Sequence, residues 1–300
     1  ATTTREMHRH EREMMLMERL HGVTRWENEP LDGWSVEDLD ADEVRVTINE
    51  AVRRGRLDDA GSGDVTDILR RLSLVSRDGR LVRAAVVLFA REERLLPDFP
   101  QCRLRLARFR GRDRSEFVDH RVVYGHGFRL LRAAQRFLID HLPVAGRVQA
   151  GLFEREDDPL YPPEALREAL ANAICHRDYA IGGGSVSIGV YDDRVEISSS
   201  GGLHFDLTVE DLFQPHESLP WNPVIARTFY LRGVIEQWGR GITKMVELLE
   251  RAGLPRPEIA DAAGALTVTF RPAAYAPPHR VPHDLTRQQR EILGALANEG

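Results

Sequence analysis

A carboxylate, a carboxamide and an imidazole recur at four-residue intervals within Glu164–Tyr179 (EALREALANAICHRDY), as Glu168, Asn172 and His176. On a helix that interval brings all three to one face. A carboxylate so held can orient or deprotonate an attacking water, and a carboxamide oxygen one turn away can ligate a magnesium ion bridging phosphates. Glu168 and Asn172 suit those two roles, and the chemistry they suggest is hydrolysis of a magnesium nucleotide. The same spacing occurs on ordinary solvated helix faces, so the weight falls on what surrounds it.

Two glycine elements follow in the chain. Gly201-Gly202 stand after an expected strand, where glycine lets the backbone turn close to a flat ligand ring. Trp238-Gly239-Arg240-Gly241 runs into an expected helix whose first N–H groups are free to hold phosphate, with Arg240 and Lys244 adding positive charge. Taken singly, each glycine pair also reads as a turn or a cap. Their order is more telling: acid-amide helix, strand hairpin, glycine turn, short helix, second glycine turn, helix.

The elements that must position these groups can be read from periodicity and punctuation. Pro162-Pro163 opens the acid-amide helix, which is expected to end near Tyr179. A strand over 148–153 precedes it through an acidic loop. Residues 185–191 alternate as a strand, Asp192-Asp193 makes a tight turn and 194–198 returns. Helices over 208–213, from Asn222-Pro223 to Tyr230 and over 242–252, then a strand over 266–270, complete a domain placed at 147–274.

Upstream, 34–146 reads as a mixed α/β domain. It has helices near 35–55 and 64–72, then an apolar run over 81–90 that suits either a buried strand or a helix. Antiparallel strands over 102–109 and 117–124 and an amphipathic helix over 128–142 follow. The arginines from Arg103 to Arg114 read as a solvated face, since Asp113 interrupts them and Glu116 follows. Residues 1–33 read as a linker helix and loop, 275–284 as a proline-rich linker, and 285–300 as the first helix of a further small domain. The chain begins at Ala1 and stops at Gly300 inside a helical pattern, as a fragment would.

Composition narrows the classes. Three hundred residues at 42% hydrophobic suffice for real cores and suit about two domains. Cys102 and Cys175 cannot make a disulfide framework, and neither a membrane-length apolar run nor a secretory leader is seen, so a cytoplasmic location is expected. A net charge of −6 gives no whole-molecule attraction for nucleic acid. Lys244 is the sole lysine and does not complete a G-x-x-x-x-G-K-[ST] loop, which excludes a strand-separating motor within this sequence. No close His or Cys cluster points to a zinc hydrolase.

The motifs EALREALANAICHRDY, DDRVEISSSGGL, NPVIARTFYLRGVIEQWGRGITKM and AGLPRPEI resemble the GHKL (Bergerat) ATP-binding fold. Within it they resemble the divergent bacterial subgroup labelled RecG-like helicase or Schlafen AlbA-type transcriptional regulators. The resemblance covers about Ser35 to Phe270. It implies an α+β fold, a GHKL α/β sandwich with a preceding mixed α/β domain, and ATP and Mg2+ as cofactors. It also implies a missing N-terminal AlbA-type domain before residues 1–33 and a winged helix beginning at 285–300, with DNA reached through those flanks; a homodimer is left open.

Carried over residue by residue, the resemblance makes Glu168 the water-activating base and Asn172 the magnesium ligand. Gly201 and Gly202 stand for the first glycine box, and Gly239 and Gly241 for the second. His176 in the HRDY signature either touches the nucleotide or packs within the helix-to-loop turn, while Arg177 and Asp178 read as structural. One departure bears on activity. Where the fold places an aspartate that accepts a hydrogen bond from the adenine amino group, this chain has Ser199-Ser200-Gly201, weakening a charge-assisted contact worth about 1.5–3 kcal/mol. Two expectations follow: a slow ATPase regulating a DNA-binding protein, or a pseudo-ATPase scaffold or dimerisation module of a transcription factor.

Overall fold

A computed structural model describes residues 25–142, 144–148, 155–205, 207–214, 219–236 and 241–273. The expected helix over 4–20, the linker at 275–284, the winged-helix start at 285–300, and Gly239 and Arg240 lie outside the described residues.

Charged residues at helix starts and apolar residues at helical spacing build the first elements. Asp40 caps α1 (Ala41–Arg53) by accepting from the Asp42 and Glu43 N–H groups, and Val44, Ile48 and Ala51 form its buried side. Asp64 caps α2 (Val65–Arg71) in the same way. The ambiguous apolar run becomes α3 (Arg83–Phe89), with every residue from Ala84 to Phe89 buried; a helix apolar all round belongs in the core. A short α4 (Glu92–Leu95) precedes the antiparallel pair β1 (Arg103–Phe109) and β2 (Phe117–Tyr124), and α5 (Gly127–His141) follows.

Two strands, β3 (Val144–Val148) and β4 (Arg155–Pro159), form a separate antiparallel pair. Of the strand expected over 148–153 only Val148 is among the described residues, paired within β3, and the run expected to be an acidic loop supplies the partner strand. Helix α6 (Pro163–Cys175), strands β5 (Val186–Val190) and β6 (Val195–Ser200), helices α7 (Pro223–Leu231) and α8 (Gly241–Arg251), and the hairpin β7 (Glu258–Ala262) and β8 (Ala265–Phe270) complete the fold. It is an α+β structure of GHKL-like type.

One six-stranded mixed sheet runs in the order β2-β1-β5-β6-β8-β7. The parallel pairing of β1 with β5 carries the sheet straight across the boundary expected near 147, so strands from both expected domains share one hydrophobic core. Alternation along each strand sets Leu106, Ile188, Ile197, Val268 and Ile259 in register across five strands, and the first four are buried. Helix α6 covers this row through β6 and packs between α5 and α8. The residues at 25–33, expected to be loop or linker, are also packed. Trp26 stacks on Tyr179 at 5.6 Å, and both carboxylate oxygens of buried Glu27 accept from Val224 and Ile225 N–H at the start of α7. Among the described residues no helix is long and apolar enough to cross a membrane.

Candidate functional site

Helix α6 is alanine-rich and buried on nearly every side, so the polar residues it carries inward need a reason to be there. Glu168 and Asn172 face a cavity of about 540 Å³ lying between α6, the sheet, α7 and α8. Asn172 Nδ2 donates to Glu168 Oε1 at 3.3 Å, which leaves the carboxamide oxygen as the acceptor a ligand can use. Glu168 is 7% exposed. Burial pushes its carboxyl pKa up, opposed by the Asn172 hydrogen bond and by the charges of Arg167 and Lys244.

Gly241 opens α8 directly against this pair. A Cβ added there would collide with Glu168 Oε1 and come within 3.4 Å of Asn172 Nδ2, so a side chain at this position would displace the carboxylate from the start of the helix. Gly241 thus brings the start of α8 to the acid-amide end of the cavity.

About 12 Å away along α6, eight residues at 1.5 Å each, the other end is built around the helix C-terminus. His176 is the C-cap residue, its N–H bonded to Asn172 O at 2.9 Å, and it lines the cavity. Asn222 Nδ2 caps the departing chain by donating to Cys175 O and Arg177 O, both at 2.9 Å. Arg177, 1% exposed, donates to Gln101 O at 2.7 Å and lies over the Tyr179 ring. It is turned away from the cavity. Gly201, at φ +103°, fits against Asp178, whose N–H bonds Ser200 O at 2.9 Å; a Cβ there would lie 2.9 Å from Asp178 N. Ser199 and Gly202 also line this end.

Of the residues singled out from sequence, Glu168, Asn172, His176, Ser199, Gly201, Gly202 and Gly241 therefore meet at one cavity. Lys244 is not part of its lining; its Nζ lies 3.8 Å from Glu164 Oε2 on the outer side of α6. Sequence reasoning missed the aromatic wall. His204 stacks on Trp221 at 3.5 Å between ring centres, Phe205 packs beside them, and Leu212, Tyr230 and Met245 extend the apolar wall. It also missed Asp261 on β7, which accepts from Leu203 N–H at 2.9 Å and steadies the backbone after Gly202. The one available signal was the aromatic pair His204-Phe205 immediately after the glycines.

An acid-amide helix and a glycine-started helix thus meet at one cavity beside the mixed sheet. Residues 183–270 match the family model described as "Putative ATP-dependent DNA helicase recG C-terminal". The match takes in Ser199, both glycine elements and Lys244, and begins after Glu168, Asn172 and His176. No curated protein matches the chain. Among solved structures, the crystal structure of the DIP2311 protein from Corynebacterium diphtheriae is similar, with a TM-score of 0.66 and 17% identity over 86% of this chain and 50% of that one. The chain thus spans about half the length of that structure, and what the two share is the fold. The family match and the architecture together support a divergent GHKL-like ATPase family, and with it an ATP-binding module.

The residues present fit a magnesium nucleotide. Ser199 lines the cavity with a hydroxyl that has no hydrogen-bond partner among the described residues, the Asn172 oxygen is available, and Gly241 keeps the start of α8 clear of side chain.

Proposed function

We propose that the cavity binds ATP with magnesium and hydrolyses it slowly, as the regulatory module of a DNA-binding protein rather than a helicase motor. The observation that carries this reading is the buried Glu168 carboxyl set between Asn172 and the first residue of α8. Glu168 accepts the proton of the attacking water, a task its raised pKa suits. The Asn172 oxygen holds the magnesium ion, which when bound offsets phosphate charge. N–H groups at the start of α8 hold the phosphates, and the apolar floor and the His204–Trp221 wall enclose the base. Residues 147–274 act as the nucleotide-binding part, and the nucleotide state is passed to DNA-contacting segments that flank it in a cytoplasmic protein, alone or as a homodimer.

Calorimetric titration with ATP and magnesium tests this. Heat of binding and a raised unfolding temperature are expected, and neither signal at millimolar nucleotide would sink the proposal. Glu168→Ala is expected to lower turnover by about 10²–10⁴-fold while leaving binding nearly intact. The serine at the base end favours a second reading, a pseudo-ATPase serving for packing or dimerisation; nucleotide binding by the wild type rules it out.

A further inference from the structure

Three consecutive serines end β6, and their hydroxyls meet different fates. Alternation turns Ser198 and Ser200 to one face of the sheet. There Ser198 Oγ shares a 2.8 Å hydrogen bond with Thr267 Oγ1, and Ser200 Oγ accepts from Ser185 N–H at 2.9 Å and donates to Ser185 O at 3.2 Å. Ser199 turns to the cavity it lines, where its hydroxyl makes no hydrogen bond among the described residues. An unbonded hydroxyl at a cavity wall is a place where a ligand gains by bringing a polar edge.

The surroundings leave that edge to Ser199. Ile197, Leu266 and Val268 make the adjoining floor apolar. The nearby N–H groups of Gly201 and Leu203 are already spent on Gly264 O and Asp261 Oδ2. Among the described strand residues that line the cavity, Ser199 is thus the polar side chain offered to a flat ring at this end.

Resting on the nucleotide reading above, we infer that the site takes purine nucleoside triphosphates without discriminating the group at C6, adenosine and guanosine forms alike. A hydroxyl carries one rotatable donor and two lone pairs. It accepts from the 6-amino group of adenine and, with its hydrogen turned over, donates to the 6-oxo group of guanine. An ionised carboxylate at the same position can only accept, and so would favour adenine and oppose the guanine oxygen.

The test is calorimetric titration of the full chain with magnesium-ATP and magnesium-GTP, for the wild type, Ser199→Asp and Ser199→Ala. The wild type is expected to bind both with Kd values within about threefold of each other. Ser199→Asp is expected to favour ATP over GTP by about tenfold or more, through a charge-assisted bond that one purine can make and the other cannot. Ser199→Ala is expected to weaken both by a similar factor. A wild type that binds ATP at least about tenfold more tightly than GTP overturns the inference and leaves the nucleotide reading standing. Binding of neither overturns both. Should Ser199→Asp lose cooperative thermal unfolding, the alanine variant decides, since loss of affinity for one purine alone overturns the inference.

Discussion

At its C-terminal end α6 is fixed by groups from three other segments, whereas at Glu168 its side chains meet one another and the start of α8. Asn222, Gln101 and Ser200 hold the chain just beyond the helix through hydrogen bonds of 2.7–2.9 Å, and Tyr179 Oη folds back to Ile174 O at 2.8 Å. The Glu168–Asn172 contact is long, 3.3 Å, and among the described residues it is the only hydrogen bond the carboxylate makes. The difference separates anchorage from chemistry. A helix pinned at one end can present unsatisfied polar groups at the other without losing its position.

The contrast can be broken from the anchored side first. Asn222→Ala leaves two buried carbonyls, of Cys175 and Arg177, without their donor and is expected to cost about 2–4 kcal/mol in urea denaturation. A loss well under about 1 kcal/mol would show that the anchor is redundant. On the other side, Gly241→Ala is expected to push the Glu168 carboxylate aside. Because the clash is with the tip of a side chain, the melting temperature should change little while turnover falls by about 100-fold, the effect of misplacing a reacting group by an ångström. An equal loss of stability would show that the two ends are not separable.

The smallest effect sharpens the contrast. Burial places the folded-state pKa of Glu168 above its unfolded value, so the folded protein holds that proton more tightly. The stabilising contribution is complete below the unfolded pKa and is lost as pH rises through the raised value. Glu168→Gln is therefore expected to melt higher than wild type near neutral pH and to converge with it below the ordinary carboxylate range. No difference at any pH would mean that the carboxylate is not strained by its site.

Much of this site was legible because its signals are local. Glu168, Asn172 and His176 share a face by helical arithmetic, and Gly201 and Gly241 punctuate strand and helix within a few residues. What was not legible depends on distant pairing. Strand β7 was missed because EIADA is an exposed edge strand with almost no buried alternation. REDDP has the composition of a loop and becomes a strand only by pairing with VAGRV. The run at 81–90 gave no period, since every side of α3 is buried. The stacking of His204 on Trp221 joins segments seventeen positions apart, with no periodicity to announce it.

Glu27 ties the first described turn to a wall of the cavity. Its two oxygens are shared between Val224 and Ile225, and α7, which they begin, supplies Pro223, Ala226, Arg227 and Tyr230 to the lining. Burial raises the pKa of this carboxyl, while the two N–H groups pull it back. A ligand that shifts α7 thereby changes the work needed to detach residues 25–28, and by reciprocity detaching them changes that ligand's affinity by the same factor. The turn at Trp26–Asn28 is in this sense a handle: pulling on it and filling the cavity are two ways of acting on one coordinate.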